Sequence, residues 1–88
     1  MKSRTTRKFW RLFDALPDDL QERARTAYGR FSVDPLHPSL QFKKVNAADN
    51  IYSVRVGLSY RALGLLDGDT VTWFWIGDHD TYERLLED

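Results

Sequence analysis

The second half of the chain carries four side chains of the types that act on phosphate groups: Arg55, Arg61, His79 and Tyr82. Arg55 stands in YSVRV and Arg61 in YRALGLL, two runs whose branched and aromatic residues are typical of β-strands. A buried guanidinium is costly unless it is paired, so each arginine should reach a solvent-exposed face or a counter-charge. The planar guanidinium matches phosphate oxygens. The alternative is that both arginines pair with Asp or Glu or are simply solvated.

The segment DHDTYERLLED predicts a short terminal helix, on which His79 and Tyr82 are neighbours because they are three residues apart. Cations with one imidazole and one phenol suit RNA cleavage in which a ribose 2′-OH attacks the adjacent phosphate. Arginine would stabilise the charged intermediate, histidine would act as acid or base, and tyrosine would stack on a base or donate a proton. From the residues alone, it stays open whether His79 merely caps the helix and whether Tyr82 faces the core.

Two further cations, Lys43 and Lys44, lie in LQFKKV, the first predicted strand of the main sheet. They would bind RNA if the whole set converges on one face of the sheet, but lysines on an edge strand also prevent aggregation. The run Asp78-His79-Asp80 has residue types that bind metals, yet adjacent residues rarely converge on one ion. We therefore expect neither a metal nor a cofactor.

Length and composition limit the class of protein. The chain has 88 residues, 13 basic and 13 acidic, and zero formal net charge, so bulk charge does not indicate nucleic-acid binding. Cysteine is absent from the sequence, which excludes disulfides, thiolate metal sites and a cysteine nucleophile. No apolar run approaches the about 20 residues that cross a bilayer, and the basic N-terminus is not followed by the apolar segment of a signal peptide. We expect one domain over 1–88, soluble and cytoplasmic, with no membrane partner.

The spacing of apolar residues predicts the elements that position these groups. Apolar stripes at helical spacing run through Phe9–Leu16 and Leu20–Phe31, and Pro17 fits the first turn of the second helix. Residues 1–5 are expected to be frayed or to form a short edge strand. Four strands follow, near Leu40–Val45, Ile51–Leu58, Tyr60–Leu66 and Thr70–Ile76, the last as the central strand. The predicted fold is α+β, with an N-terminal helical hairpin packed on a four-stranded antiparallel sheet and a short C-terminal helix.

Taken together, these stretches resemble the RelE/ParE superfamily of toxins from bacterial type II toxin–antitoxin pairs. The resemblance covers nearly the full length, from the Leu16-Pro17 turn through PLHPSLQFKKV, YSVRV and YRAL to WFWIGDHDTYERLL. Its most specific pieces are YRAL after the YSVRV strand and the ending IG-x-H-x-x-Y. It implies the helical hairpin and antiparallel sheet of these toxins, here as a RelE/ParE toxin-like fold.

The resemblance also implies roles for individual residues. Arg61 in YRAL matches the superfamily's phosphate-contacting arginine, and Arg55 falls where RelE has a catalytic lysine. Ser53 stands where RelE has a further lysine, two residues earlier. His79 lies where RelE has an arginine and where YoeB-type nucleases end in a His-Tyr pair, and Tyr82 matches the C-terminal tyrosine. The general base is not assigned by this comparison.

Within the superfamily, RelE-like members are ribosome-dependent mRNA endonucleases, ParE-like members poison DNA gyrase, and an antitoxin wraps and neutralises each toxin. The resemblance therefore implies a toxin that inhibits translation by cleaving mRNA on the ribosome, with a cognate antitoxin, the ribosome and mRNA as partners. Two alternatives stay open: a DNA gyrase inhibitor, and a non-catalytic toxin-like domain that binds an antitoxin.

Overall fold

The computed structural model describes residues 1–86, so Glu87 and Asp88, the last residues of the predicted terminal helix, lie outside the described part. The elements are β1 (Lys2–Thr5), α1 (Arg7–Asp14), α2 (Asp18–Val33), a 3₁₀-helix (Pro38–Leu40), β2 (Lys43–Asn46), β3 (Ile51–Val56), β4 (Tyr60–Asp67), β5 (Thr70–Asp78) and α3 (His79–Leu86). The α+β class, the helical hairpin and the terminal helix are as predicted. None of the described helices is long and apolar enough to cross a membrane.

The sheet has five strands in the order β1-β5-β4-β3-β2, one more than the four predicted. The additional strand, β1, runs parallel to β5 while all other neighbours are antiparallel. Its polar sequence KSRT lacks the alternation of a half-buried strand, and its pairing comes from the backbone: the Lys2 amide donates to the Asp69 carbonyl at 2.7 Å. With β1 on the outer edge of β5, the central strand of the sheet is β4, whereas the sequence predicted β5 there.

The helical hairpin covers one face of the sheet, which we call the hairpin face. Thr6 caps α1 by accepting a hydrogen bond from the Phe9 amide at 3.1 Å. Phe13 of α1 and Phe31 of α2 are buried against Val54 of β3 and other apolar residues of the sheet. The Phe31 ring meets the Trp73 ring edge to face, with centroids 5.4 Å apart.

The opposite face of the sheet, which we call the α3 face, is covered by the terminal helix. Leu63, Trp75 and Tyr82 form a second buried cluster there. Trp73 and Trp75 are two residues apart yet lie on opposite faces, because a β-bulge between β4 and β5 interrupts the alternation. Arg61 of β4 is also buried on this face, next to Tyr82.

Candidate phosphate-binding site

Strand register brings the two arginines of the central strands onto the same face. Arg55 of β3 pairs with Arg61 of β4, which in turn pairs with Gly77 of β5. Side chains directly opposite one another in antiparallel strands share a face, and this is the α3 face. A Cβ atom at Gly77 would lie 2.6 Å from the Trp75 indole, so the indole covers the backbone beside Arg61 only because residue 77 is glycine.

Arg61 is a buried cation, with 8% of its surface exposed. Its Nη2 donates to Oε1 of Gln41 at 2.5 Å, while its buried Nη1 has no hydrogen-bond partner. Among residues 1–86, no carboxylate lies within ion-pair distance of this guanidinium. The sheet therefore holds one positive charge that is largely desolvated and has no compensating negative charge.

Tyr82 lies under this guanidinium and belongs to the core of the α3 face, with 3% exposed surface. The guanidinium carbon of Arg61 is 5.5 Å from the centroid of the Tyr82 ring. The Tyr82 hydroxyl donates to Oγ of Ser53 at 3.3 Å, and both groups are buried. Tyr82 therefore faces the core, one of the two orientations that the sequence left open.

His79 begins α3 at the rim of the same site. Its ring centroid is 5.4 Å from that of Tyr82, and its backbone amide donates to the Ser59 carbonyl at 2.7 Å. Nε2 of His79 lies 2.9 Å from Oε1 of Glu83, with 44% of the histidine side chain exposed. Arg61, Tyr82 and His79 thus form one continuous set, from buried cation to accessible imidazole.

The helix that carries His79 is capped by the preceding residue, Asp78. Oδ1 of Asp78 accepts a hydrogen bond from the Thr81 amide at 2.7 Å. This bond, and a second one from the Thr81 side chain, hold the pKa of the Asp78 carboxyl below its ordinary 3.8. Asp78 therefore fixes the start of α3. Within the described residues, no group of three or more His, Asp or Glu side chains is arranged to hold a metal ion.

The remaining predicted site residues are not all in this set. Arg55 lies on the α3 face by register, but its Nε donates to the Gly57 carbonyl at 3.0 Å, and the residue also borders a groove beside α2. Lys43 pairs with Ser53 and so is also on the α3 face. Lys44 is on the hairpin face, with Nζ 5.9 Å from the centroid of the Tyr52 ring.

Gln41, which the sequence did not single out, and Ser53, to which it assigned no role, complete the surroundings of Arg61. Gln41 follows the 3₁₀-helix in a left-handed conformation, with φ 46°, and its side chain reaches Nη2 of Arg61. Ser53 accepts the hydrogen bond of Tyr82. The conformation of Gln41 depends on how the connector folds, which no local pattern indicates. Ser53 had a signal, because it alternates onto the same face as Arg55.

Comparison with known proteins assigns the chain to a family. The family model of the ParE-like toxin domain matches residues 18–84, a span that contains every predicted site residue. The chain belongs to the ParE-like toxin domain family. No curated protein matches the sequence closely enough to identify a relative.

Solved toxins share the fold of this ParE-like chain. The chain superposes on the RelB–RelE antitoxin–toxin complex from Methanococcus jannaschii with TM-score 0.74 and 19% identity, covering 93% of this chain and 96% of that one. YafQ from Escherichia coli superposes with TM-score 0.73 and 7% identity over 92% and 96%. The toxin–antitoxin complex RelBE2 from Mycobacterium tuberculosis gives 0.64 and 24% identity over 88% and 95%. The predicted RelE/ParE superfamily membership is confirmed.

Proposed function

We propose that this ParE-like protein is the toxin of a toxin–antitoxin pair and that it cleaves mRNA on the ribosome. The observation that supports this most directly is the buried Arg61 guanidinium, whose Nη1 is unpartnered and which has no carboxylate in reach among residues 1–86. A buried charge without a partner is unfavourable unless an anion completes it. A phosphodiester is a suitable anion, because its non-bridging oxygens accept hydrogen bonds from the guanidinium edge.

The chemistry proposed at this site is attack of a ribose 2′-OH on the adjacent phosphorus. The 2′-O–P bond forms as the P–O5′ bond breaks, and the 2′-OH proton is removed while the 5′ oxygen gains one. Arg61 stabilises the extra negative charge on the phosphoryl oxygens, His79 transfers one of the two protons, and solvent water exchanges the other. Its contact with Glu83 is an exposed pair that costs little to break.

In this proposal Tyr82 is a positioning residue and not a proton donor. Its hydroxyl is buried and already bound to Ser53, and its ring supports both the Arg61 guanidinium and the His79 imidazole. Packing of this kind holds the two groups at a fixed separation, which favours a reaction that depends on their geometry.

An antitoxin is the expected partner. The matched structures from Methanococcus jannaschii and Mycobacterium tuberculosis are both toxin–antitoxin complexes. We propose that this chain is likewise bound and neutralised by a cognate antitoxin.

Expression in growing bacteria tests the endonuclease proposal. Wild type should arrest growth, and primer extension should find new mRNA ends at codons in the ribosomal A site. Arg61→Gln and His79→Ala should abolish both effects, whereas Arg11→Gln, an exposed residue of α1, should keep them. Growth arrest by both the Arg61 and His79 variants at wild-type strength would remove the proposal.

Inhibition of DNA gyrase is the second candidate function. The zero net charge of the chain and the buried Tyr82 hydroxyl favour it, since neither helps to bind and cleave RNA. Purified protein that blocks supercoiling by gyrase while leaving cell-free translation intact would select this candidate.

A further inference from the structure

A second cluster of cations lies in a groove between α2, the 3₁₀-helix and the turn that joins β3 to β4. We call it the arginine groove, and its volume is about 490 Å³. Its lining includes Arg23 and Arg30 of α2, Arg55 of β3, and the hydroxyl residues Thr26 and Ser39. Arg55 borders the groove where β3 extends past β2. In the described strands Ser53 is the last β3 residue with a β2 partner, Lys43, and Arg55 has none.

Each arginine of this groove is held by neutral groups. Arg55 Nε donates to the Gly57 carbonyl at 3.0 Å, and Arg30 Nη1 donates to Ser39 Oγ at 3.2 Å. The Arg23 side chain lies against Gly57, where a Cβ atom would be 3.2 Å from Arg23 Cδ. Gly57 has φ +66°, so a side chain there would be strained as well as crowded.

The groove has an excess of positive charge. Its one carboxylate, that of Glu22, is paired with Arg25 at 3.0 Å. Within residues 1–86, no carboxylate lies within 4.0 Å of the other three guanidinium groups. Three cations that share a groove without counter-charges repel one another, and an anion bound between them would remove that repulsion.

We propose that the arginine groove binds the phosphodiester backbone of single-stranded RNA, next to the nucleotide held at Arg61. This inference rests on the proposed endonuclease function and extends it to the neighbouring part of the same strand. Arg55 links the two places, since it is the cross-strand partner of Arg61 and lines the groove. In this proposal, the strand that has one phosphate at Arg61 passes Arg55 around the end of β3, and its next phosphates bind Arg23 and Arg30 of α2, with Thr26 and Ser39 as further hydroxyl donors.

Binding of uncleavable RNA separates this inference from catalysis. The probes are fluorescein-labelled oligonucleotides with 2′-O-methyl groups, which lack the attacking hydroxyl: a dinucleotide that spans only the Arg61 site and a hexanucleotide long enough to enter the groove. Arg23→Gln and Arg30→Gln should each weaken hexanucleotide binding roughly 10-fold, the effect of one lost charge-assisted hydrogen bond. The slope of log Kd against log salt should fall by about 0.7 per lost phosphate contact. Dinucleotide binding should not change.

Arg11→Gln is the matched control, because it removes one charge from an exposed position outside the groove and should leave both affinities at wild-type values. Thermal unfolding checks that all variants are folded. Equal hexanucleotide affinity in wild type and groove variants would overturn the inference, as would an equal loss for the dinucleotide. Displacement of the hexanucleotide by a hexaglutamate peptide at equal concentration would assign the groove to an acidic protein segment instead.

The two proposals fail in different ways. If wild type cuts mRNA and the groove variants bind the hexanucleotide normally, only the groove inference is wrong. If the groove variants weaken hexanucleotide binding but no cut mRNA is found, only the endonuclease proposal is wrong.

Discussion

The guanidinium of Arg61 rests on the ring of Tyr82, 5.5 Å from its centroid, and not on a carboxylate. An aromatic face stabilises a cation only in part, by about 2 kcal/mol when both are desolvated. A carboxylate at this position would neutralise the guanidinium and compete with any incoming anion. The aromatic support therefore holds the cation in place while keeping its positive charge available. Substitutions at the two residues of this contact should therefore change the stability of the protein in opposite directions.

Tyr82→Phe should fold, with the free energy of unfolding lowered by roughly 0.5–1.5 kcal/mol, because it loses only the buried hydrogen bond to Ser53. Its growth arrest should match wild type, since the ring remains over Arg61. Urea denaturation and an induction assay measure the two effects. A folded Tyr82→Phe protein with no toxicity would show that the hydroxyl itself takes part in the reaction.

Arg61→Met should be more stable than wild type by about 1 kcal/mol, because it replaces a buried, unpaired charge with an apolar side chain of similar length. The same change should remove phosphate binding. Addition of inorganic phosphate should therefore raise the Tm of wild type but not that of the variant. A clear loss of stability in Arg61→Met would mean that the cation, through Gln41 and Tyr82, mainly supports the fold.

The period-2 pattern of the sequence was sufficient for the faces of β3. Alternation along YSVRV places Ser53 and Arg55 on one face of the strand and Val54 on the other, and the structure has this division. The same rule separates Lys43 from Lys44, which lie on opposite faces, so the predicted RNA-binding pair does not share one surface. The roles assigned to the site residues stay predictions.

Other features have no local sequence signal. For residues 1–5 the sequence left a frayed end and a short edge strand open, and the structure has the edge strand, β1, because backbone hydrogen bonds to β5 hold it, which any sequence without proline can make. The contact of Gln41 with Arg61 joins residues far apart in the chain, and it depends on the left-handed turn after the 3₁₀-helix. The buried position of Tyr82 follows from how α3 docks on the sheet, since the helix pattern alone allowed either orientation.

Two glycines of different surroundings should respond oppositely to alanine. A Cβ atom at Gly64 would clash with the Val71 side chain and lie 2.7 Å from the Trp73 ring, so Gly64→Ala should cost about 1–3 kcal/mol. At Gly29, within α2, nothing lies within 4 Å of the added atom, and Gly29→Ala should stabilise the protein by roughly 0.5–1 kcal/mol. Urea denaturation measures both effects: the midpoint of Gly64→Ala should lie below that of wild type and the midpoint of Gly29→Ala above it. Midpoints shifted in the same direction would contradict the prediction.

Asp78 gives the fold a defined response to acid. The Thr81 hydrogen bonds favour the charged carboxylate, so its pKa in the folded protein lies below the ordinary 3.8. The folded state then binds fewer protons than the unfolded state as the pH falls through this range. The stabilisation from this cap is therefore fully present above about pH 5, and is lost progressively as the pH falls through the lowered pKa.

Asp78→Asn keeps a capping side chain but cannot titrate, so it isolates this effect. Wild type should be more stable than the variant at pH 7, because a charged cap interacts better with the N-terminus of α3. The difference in free energy of unfolding should shrink below about pH 4, as the wild-type carboxyl becomes protonated. Urea titrations of both proteins between pH 7 and pH 2 measure it. A difference that stays constant over this range would mean that the bonds from Thr81 do not depend on the charge of Asp78.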